Sequence, residues 1–567
     1  METTPSSQQS TLTTTTTTTT TTPPFSFTTS HSTTTSSTSS ASSSTTKTIT
    51  SPTTVGMSSS STTPSSAPVS MTRQRRKSQP LPNAPNKLIQ IEQEIYERIV
   101  RLYDQQQLVE KVDRIPIEMR PKDFARPSRC CIYRDRAMVR FRIMASLGFR
   151  VEEEDETRTL GSYAKEVLER PMTKPQKPVL TVISEACNHC TKQQYLVTDA
   201  CQNCVAQPCA HNCPKHAITH PAETDRAVID SSACVRCGKC VQVCPYHAII
   251  DIPIPCVKAC PVGAITAMPD GSKVFDWDKC VQCGGCQRSC PFGAVMQRSM
   301  LIEVLKALTT GKKVVALLAP AVAGDFGAAT LEAIVATVKK AGFYDAMEVS
   351  IGAVQTAIEE AHEFVERMEA FAAHKPKSMP FMTTSCCPAH MACIKKHIPE
   401  IEDAVSETPT PMHFTAVMAK QKYPDCVTVF IGPCTAKLAE SIDDPFVDFA
   451  MSFTETVSLL RARGLELSEP ETPIELEGKA EGRGFPMSGG VSAAVANFIK
   501  PTETVPGVKP VIIDGLNAAA VKRLRSFAKK PPPGNLIEVM ACEGGCVAGP
   551  GTCLLYTSPS PRDYCAH

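Results

Sequence analysis

Apolar residues come in short bursts along this chain, and the rhythm of the bursts changes along its length. From about residue 300 the runs "KVVALLAPAV" (313–322), "VTVFIG", "PVIIDGL" and "LIEVMA" are short and β-rich and predict strands. Helical stretches fall between them. "TLEAIVATVKKAG" has helical periodicity and a glycine stop, and "IEEAHEFVER" (358–367) puts Glu360, Glu363 and Arg367 on one helical face. Strands alternating with helices predict an α/β domain of mainly parallel sheets flanked by helices, with ligand sites at the carboxyl ends of the strands. Residues 84–183 read as a mostly helical region that includes the basic stretch "SRCCIYRDRAMVRFR". No apolar run is long and uninterrupted enough to span a bilayer.

The first 83 residues have no such rhythm. Thr, Ser and Pro dominate through about residue 80, with too little apolar surface to offset the entropy of ordering, so a disordered segment is expected. One acid, Glu2, and a late basic cluster, "TRQRRKS" (72–78), fit an organelle transit peptide, although an Arg-rich amphipathic helix is not evident; a low-complexity tail fits equally well. Net charge is +2 with both signs interspersed, which gives no basic field for nucleic acid or an anionic membrane.

Cysteine changes the picture most: 27 copies stand in short clusters in a long chain without an apolar signal region. That favours soft-metal ligation in a reducing compartment over a disulfide framework. "CQNCVAQPCAHNCP" supplies Cys201, Cys204, Cys209 and Cys213; "CVRCGKCVQVCP" supplies Cys234, Cys237, Cys240 and Cys244; "CVQCGGCQRSCP" supplies Cys280, Cys283, Cys286 and Cys290. Three closely spaced thiolates followed by Cys-Pro wrap a 4Fe-4S cubane, the last cysteine crossing to a neighbouring cluster. Zinc is the competing occupant of any CxxC pair, but it has no use for the third cysteine or the proline.

The crossing rule puts Cys201, Cys204 and Cys209 with Cys244, and Cys234, Cys237 and Cys240 with Cys213, a two-cluster ferredoxin unit. "PCVKACP" offers Cys256 and Cys260 without a preceding CxxC, and "CNHC" supplies the missing pair. Cys187, Cys190, Cys256 and Cys290 then form one set, and Cys260, Cys280, Cys283 and Cys286 another. A separate zinc site or an unligated pair is the alternative for Cys187 and Cys190. Residues 184–298 are thus expected to form an α+β ferredoxin-like domain with four accessory clusters, whose physical purpose is to carry single electrons.

The remaining cysteines fall where strands should end: "FMTTSCCP", "VFIGPCTAKLAE" and "IEVMACEGGCVAGPG". Glycines between Cys542 and Cys546 allow close backbone approach. In order and content these three loops resemble the signature motifs of iron-only (FeFe) hydrogenases over residues 299–553, and the cysteine-rich middle resembles the accessory domain of the monomeric members. That resemblance implies reversible interconversion of H2 with protons and electrons at an H-cluster, a 4Fe-4S cubane joined to a two-iron centre bearing carbon monoxide, cyanide and a dithiolate amine. It also implies that Cys387, Cys434, Cys542 and Cys546 ligate the cubane and that Cys546 bridges to the two irons. Cys386 then passes protons to and from the amine.

By the same resemblance Lys437 donates to an iron-bound cyanide, Met540 packs on the two-iron centre, and Ala319 and Pro320 close over the other cyanide. The implied proton path runs from Cys386 to Glu363, Ser406, Glu360 and Arg367; residue types alone make that charged helical face a solvated surface. Implied partners are H2 and protons, a ferredoxin or similar electron carrier and maturation enzymes, for a monomer that binds no nucleic acid or membrane. The compartment expected is anaerobic: cytoplasm, or a hydrogenosome or mitochondrion-related organelle. Two alternatives share the fold: a non-catalytic iron–sulfur assembly paralogue, which lacks the cysteine doublet and the lysine, and an H2 sensor.

Departures from the family pattern are Gly432, where many members have methionine, and Leu438, in place of a second lysine. The stretch 554–567, "LLYTSPSPRDYCAH" after Cys553, reads as an anomalous, non-native tail, and Cys553 and Cys565 receive no role. Cys130 and Cys131 are expected to be buried by packing.

Overall fold

Strands Val314–Leu318 and Val427–Ile431 are buried at every position, as a sheet covered on both faces demands. In the computed structural model, which describes residues 78–79, 81, 86–124, 131–187, 190, 195–268, 272–327, 329–500 and 507–553, both belong to one four-stranded sheet. Its order is Asp345–Glu348, Val314–Leu318, Val427–Ile431, Phe449–Met451, parallel throughout. A second parallel sheet runs Met382–Thr383, Leu536–Met540, Pro510–Asp514. Helices complete the α/β architecture. All described residues belong to the unit Gln74–His567.

The longest helix, Val349–Ala372, packs on helix Pro411–Lys422. Gly352 makes this approach possible: a Cβ there would stand 2.3 Å from Pro411 O and 2.4 Å from Thr415 Oγ1. Among the described residues no helix is long and apolar enough to cross a membrane.

Residues 180–297 are built from antiparallel pairs nested one inside another. Leu180–Val182 pairs with Val295–Gln297, and Ile265–Ala267 with Lys273–Phe275. Between these, Tyr195–Val197 pairs with Ile249–Asp251 around the small hairpin of Ile218–Thr219 and Val228–Ile229. One hairpin-closed unit is thus inserted within another, which explains why "CNHC" is separated from "PCVKACP" in sequence.

In the N-terminal region helix Lys87–Asp104 buries Ile95, Tyr96, Ile99 and Val100 and packs on helix Phe453–Ala462. Arg463 closes the contact on Asp104 at 2.9 Å. Two expectations are corrected here. Order begins before residue 84: Ser78–Gln79 pairs antiparallel with Leu467–Ser468, and Leu81 is buried. Free backbone groups of a short edge strand recruit this polar segment despite its composition. Cys131 is exposed at the start of helix Ile132–Ser146 rather than buried, because its position precedes the packed turns. Cys130, residues 1–77 and the tail 554–567 with Cys565 lie outside the described residues.

Gly352→Ala separates packing from propensity. Helix propensity alone would gain about 1 kcal/mol, whereas the overlap with Pro411 and Thr415 should cost about 1–3 kcal/mol net; a lower melting temperature by calorimetry is the expected outcome.

Candidate functional site

Both parallel sheets end their strands at one place. Thr383 leads to Cys386 and Cys387, Ile431 to Cys434, Met540 to Cys542 and Cys546, and Leu318 to Ala319 and Pro320. Cys387, Ala389 and Ala436 form a small packed cluster against which Cys434, Ala541 and Cys283 lie. Cys386 and Cys546 pack against the neighbouring apolar cluster that contains Met540, Met382 and Phe364. The expected ligand cysteines and Cys386 are therefore brought together.

Cys387 and Cys434 each stand at the N-cap of a helix, Pro388–His397 and Thr435–Asp443. The positive helix ends favour thiolate or a bound anion there. Burial works the other way: it pushes the Cys434 thiol up to about 11 and raises those of Cys542 and Cys546 as well, with neighbouring sulfurs adding to the effect. Binding a metal must expel those protons. The glycine-rich turn earns its glycines against protein backbone: a Cβ at Gly545 (φ +91°) would lie 2.2 Å from Pro486 O, and Cys546 N donates to that oxygen at 2.7 Å.

Lys437 Nζ is buried and lies 2.8 Å from Glu440 Oε2. Burial alone would pull this ammonium down, but Glu440 more than offsets it and the group is held above its ordinary value. Met540 is buried, as is Ala319, with Pro320 at the margin. The departure at Gly432 has a steric cause, since the Phe430 ring fills that space and a Cβ would come within 2.5 Å of it and 3.0 Å of Ala319 Cβ. Leu438 is a core residue, 1 % exposed, where a second lysine would be buried.

The charged face of helix Val349–Ala372 turns inward. Glu360 is fully buried; Glu363 and Arg367 are part-buried and paired at 2.7 Å. Ser406 Oγ donates to Glu363 Oε2 at 2.5 Å, Thr408 Oγ1 donates to the same atom at 2.9 Å, and Arg367 continues to the Val405 carbonyl at 2.9 Å. Glu360 Oε1 accepts from Ser385 N (2.7 Å) and stands 3.0 Å from Ser385 Oγ, while Oε2 has no partner.

The acid nearest Cys386 in electrostatic effect is Glu360, and Ser406 and Arg367 belong to Glu363. This reverses the two glutamates in the expected path, for a physical reason: helical spacing puts both on one face without saying which end meets the cysteine. Sequence reasoning also missed Ser385 and Thr408. Ser385 Oγ donates to Thr408 O at 2.6 Å, spanning the gap between the two acids. Its place directly before the doublet was the available signal.

The accessory cysteines are also gathered. Cys256 lies near Cys290, Cys187 and Cys190, and Cys286 near Cys283, Cys280, Cys256 and Cys260, so the outer cysteines adjoin one another. Cys201, Cys213 and Cys234 pack against a cluster containing Cys209 and Cys240; Cys209 responds to Cys204 and Cys240 to Cys237. Each Cys-Pro cysteine accepts an amide four residues on: Cys213 from Ala217 (3.3 Å), Cys244 from Ala248 (3.4 Å), Cys260 from Ala264 (3.2 Å) and Cys290 from Ala294 (3.4 Å). These bonds suit sulfur that carries negative charge. Gly284 (φ +72°), whose Cβ would meet Pro550 and Thr435 at 2.6 Å, lets Cys283 approach the Cys387 cluster.

The residues present fit the iron cofactor that the motifs imply. None of the described cysteines is in a disulfide, and three buried polar atoms lack partners around the site: Glu360 Oε2, Thr384 Oγ1 and Thr435 Oγ1. Native interiors seldom leave such atoms unanswered unless something else answers them.

Comparison with known proteins agrees. Residues 312–550 match the family described as iron only hydrogenase large subunit, C-terminal domain; residues 227–250 match a 4Fe-4S binding domain and 255–294 a 4Fe-4S dicluster domain. The chain is similar to the periplasmic [Fe] hydrogenase large subunit of Nitratidesulfovibrio vulgaris, at 30 % identity over 379 residues, 57 % of this chain and 85 % of that protein. It is 27 % identical over 394 residues to iron hydrogenase 1 of Clostridium pasteurianum, covering 60 % and 67 % of the two chains. The NADP-reducing hydrogenase subunit HndD of Solidesulfovibrio fructosivorans is 26 % identical over 372 residues, 56 % of each.

Burial, only partly offset by the Ser385 hydrogen bonds, raises Glu360 to about 7 from 4.5. The folded protein therefore holds this proton more tightly than the unfolded chain, so the contribution is fully present below pH 4.5 and is lost as pH rises through about 7, by about 3 kcal/mol. Buried His390, lowered to about 4, acts in the opposite sense over an overlapping range. Denaturant unfolding of the metal-free protein should therefore show the effect as a difference: as pH rises through about 7, the stability of wild type should fall relative to that of Glu360→Gln, and parallel pH profiles would count against it.

Proposed function

Because the chain belongs to the iron-only hydrogenase family, we propose that it interconverts H2 with protons and electrons at an H-cluster held by Cys387, Cys434, Cys542 and Cys546. The observation that supports this reading is the convergence of Cys386 and these cysteines with buried, donor-rich Lys437 at the ends of two parallel sheets. The enzyme is an oxidoreductase that uses 4Fe-4S clusters. When bound, the cubane and its two-iron centre supply the heterolytic cleavage of dihydrogen.

The chain's own residues do the rest. Cys386 takes up and returns the proton, kept protonated by burial and by Glu360 beside it. Glu360, with one free carboxylate oxygen and a value of about 7, is suited to exchange at neutral pH. Ser385 and Thr408 bridge towards Glu363, whose carboxylate Ser406 and Arg367 hold near the surface. Lys437 provides fixed positive charge for an anionic ligand, and Met540, Ala319 and Phe430 exclude water.

Electrons leave by way of Cys283 and its set to the ferredoxin-like unit of residues 184–298, and from there to a ferredoxin-type carrier. The setting proposed is a reducing, oxygen-poor compartment in which maturation enzymes provide the two-iron unit.

Infrared spectroscopy of the matured protein tests the reading. Carbonyl and cyanide bands are expected, and their absence would remove it. Cys386→Ala should retain those bands and lose H2 turnover by about 10²-fold or more; undiminished turnover would remove the role of Cys386.

A further inference from the structure

Lys437 carries a positive charge into a space lined by sulfur and apolar side chains, where a charge without a counter-ion is costly. Its counter-ion is Glu440, one turn along helix Thr435–Asp443, with Oε2 at 2.8 Å from Nζ. An (i, i+3) pair is ordinarily a surface ornament of a helix. Here both atoms are buried, and the 2.8 Å contact takes up one of the three ammonium donors. Glu440 therefore neutralises the ammonium while leaving its other donors for a ligand.

Glu440 is fixed from its other side. Thr410, at the N-cap of helix Pro411–Lys422, donates from Oγ1 to Glu440 Oε1 at 2.5 Å. Both residues line a cleft of about 780 Å³ that also reaches Ser385, Ala436 and His413. The carboxylate thus stands between the cleft and the lysine. The two acids that follow on this stretch of chain are engaged elsewhere: Asp443 with Lys177, and Asp444 with His413 at 2.9 Å.

We propose that Glu440 is the positioning residue of Lys437: its carboxylate, locked by Thr410, pins the ammonium in the site and bars it from swinging into the cleft. The direction in which Lys437 serves, towards an anionic ligand of the two-iron centre, rests on the hydrogenase reading. The coupling of the two side chains does not.

A double-mutant cycle on the metal-free protein tests the coupling. Glu440→Gln should lower the melting temperature, and adding Lys437→Met should recover most of that loss. Additive effects of the two substitutions would overturn the proposal. In the matured enzyme, Glu440→Gln should displace the cyanide bands while carbonyl bands persist, and Glu440→Asp should restore their positions. Thr410→Val, which keeps the charge and frees the carboxylate, should move the same bands by less. Unmoved cyanide bands in both Glu440→Gln and Thr410→Val would overturn the positioning role. A wild-type spectrum without any such bands would instead count against the functional reading, leaving the cycle to judge the pair.

Discussion

A parallel strand always delivers its chain to the same end of the sheet, and two sheets here deliver theirs to one spot. Everything chemical depends on that constraint. Each exit contributes a residue within a few positions of its last hydrogen-bonded strand residue, so the sulfurs sit on short, stiff connections rather than on long loops. Register does the aligning: Leu318 pairs with Ile431 and Asp514 with Met540, which fixes where Ala319, Cys434 and Cys542 leave the sheets. Helices starting at Cys387 and Cys434 then turn their positive ends towards the same volume.

Around that volume the protein uses one residue type in three ways. Glu360 is buried without a cation and holds its proton near neutrality. Glu440 is buried against Lys437 at 2.8 Å. Glu538, raised by burial, accepts the amides of Gly489 and Ser492 at 2.8 Å and thereby anchors the start of helix Gly490–Phe498. Environment rather than sequence separates a carboxyl that keeps its proton from a counter-charge and from a cap.

This is also where sequence reading reached its edge. The strands Val314–Leu318, Val427–Ile431, Pro510–Asp514 and Leu536–Met540 were legible because apolar runs mark them. Asp345–Glu348 was not, since its first residue is polar and is satisfied by Tyr423 at 2.6 Å, a contact 78 positions distant. Cysteine spacing marked the cluster-binding stretches, whereas the nesting of one strand-paired unit inside another came from the pairing of Leu180–Val182 with Val295–Gln297 around that of Tyr195–Val197 with Ile249–Asp251. The order of Glu360 and Glu363, and the parts played by Ser385, Phe430 and Glu440, depend on which element packs opposite, and no local pattern carries that.

The inserted unit leaves and rejoins its host at a single doorway, since Tyr195 lies across from Asp251 in the pair that closes it. Its closing ladder shares no strand with the one that joins Leu180–Val182 to Val295–Gln297, so the inner unit can change in length without unzipping the outer frame.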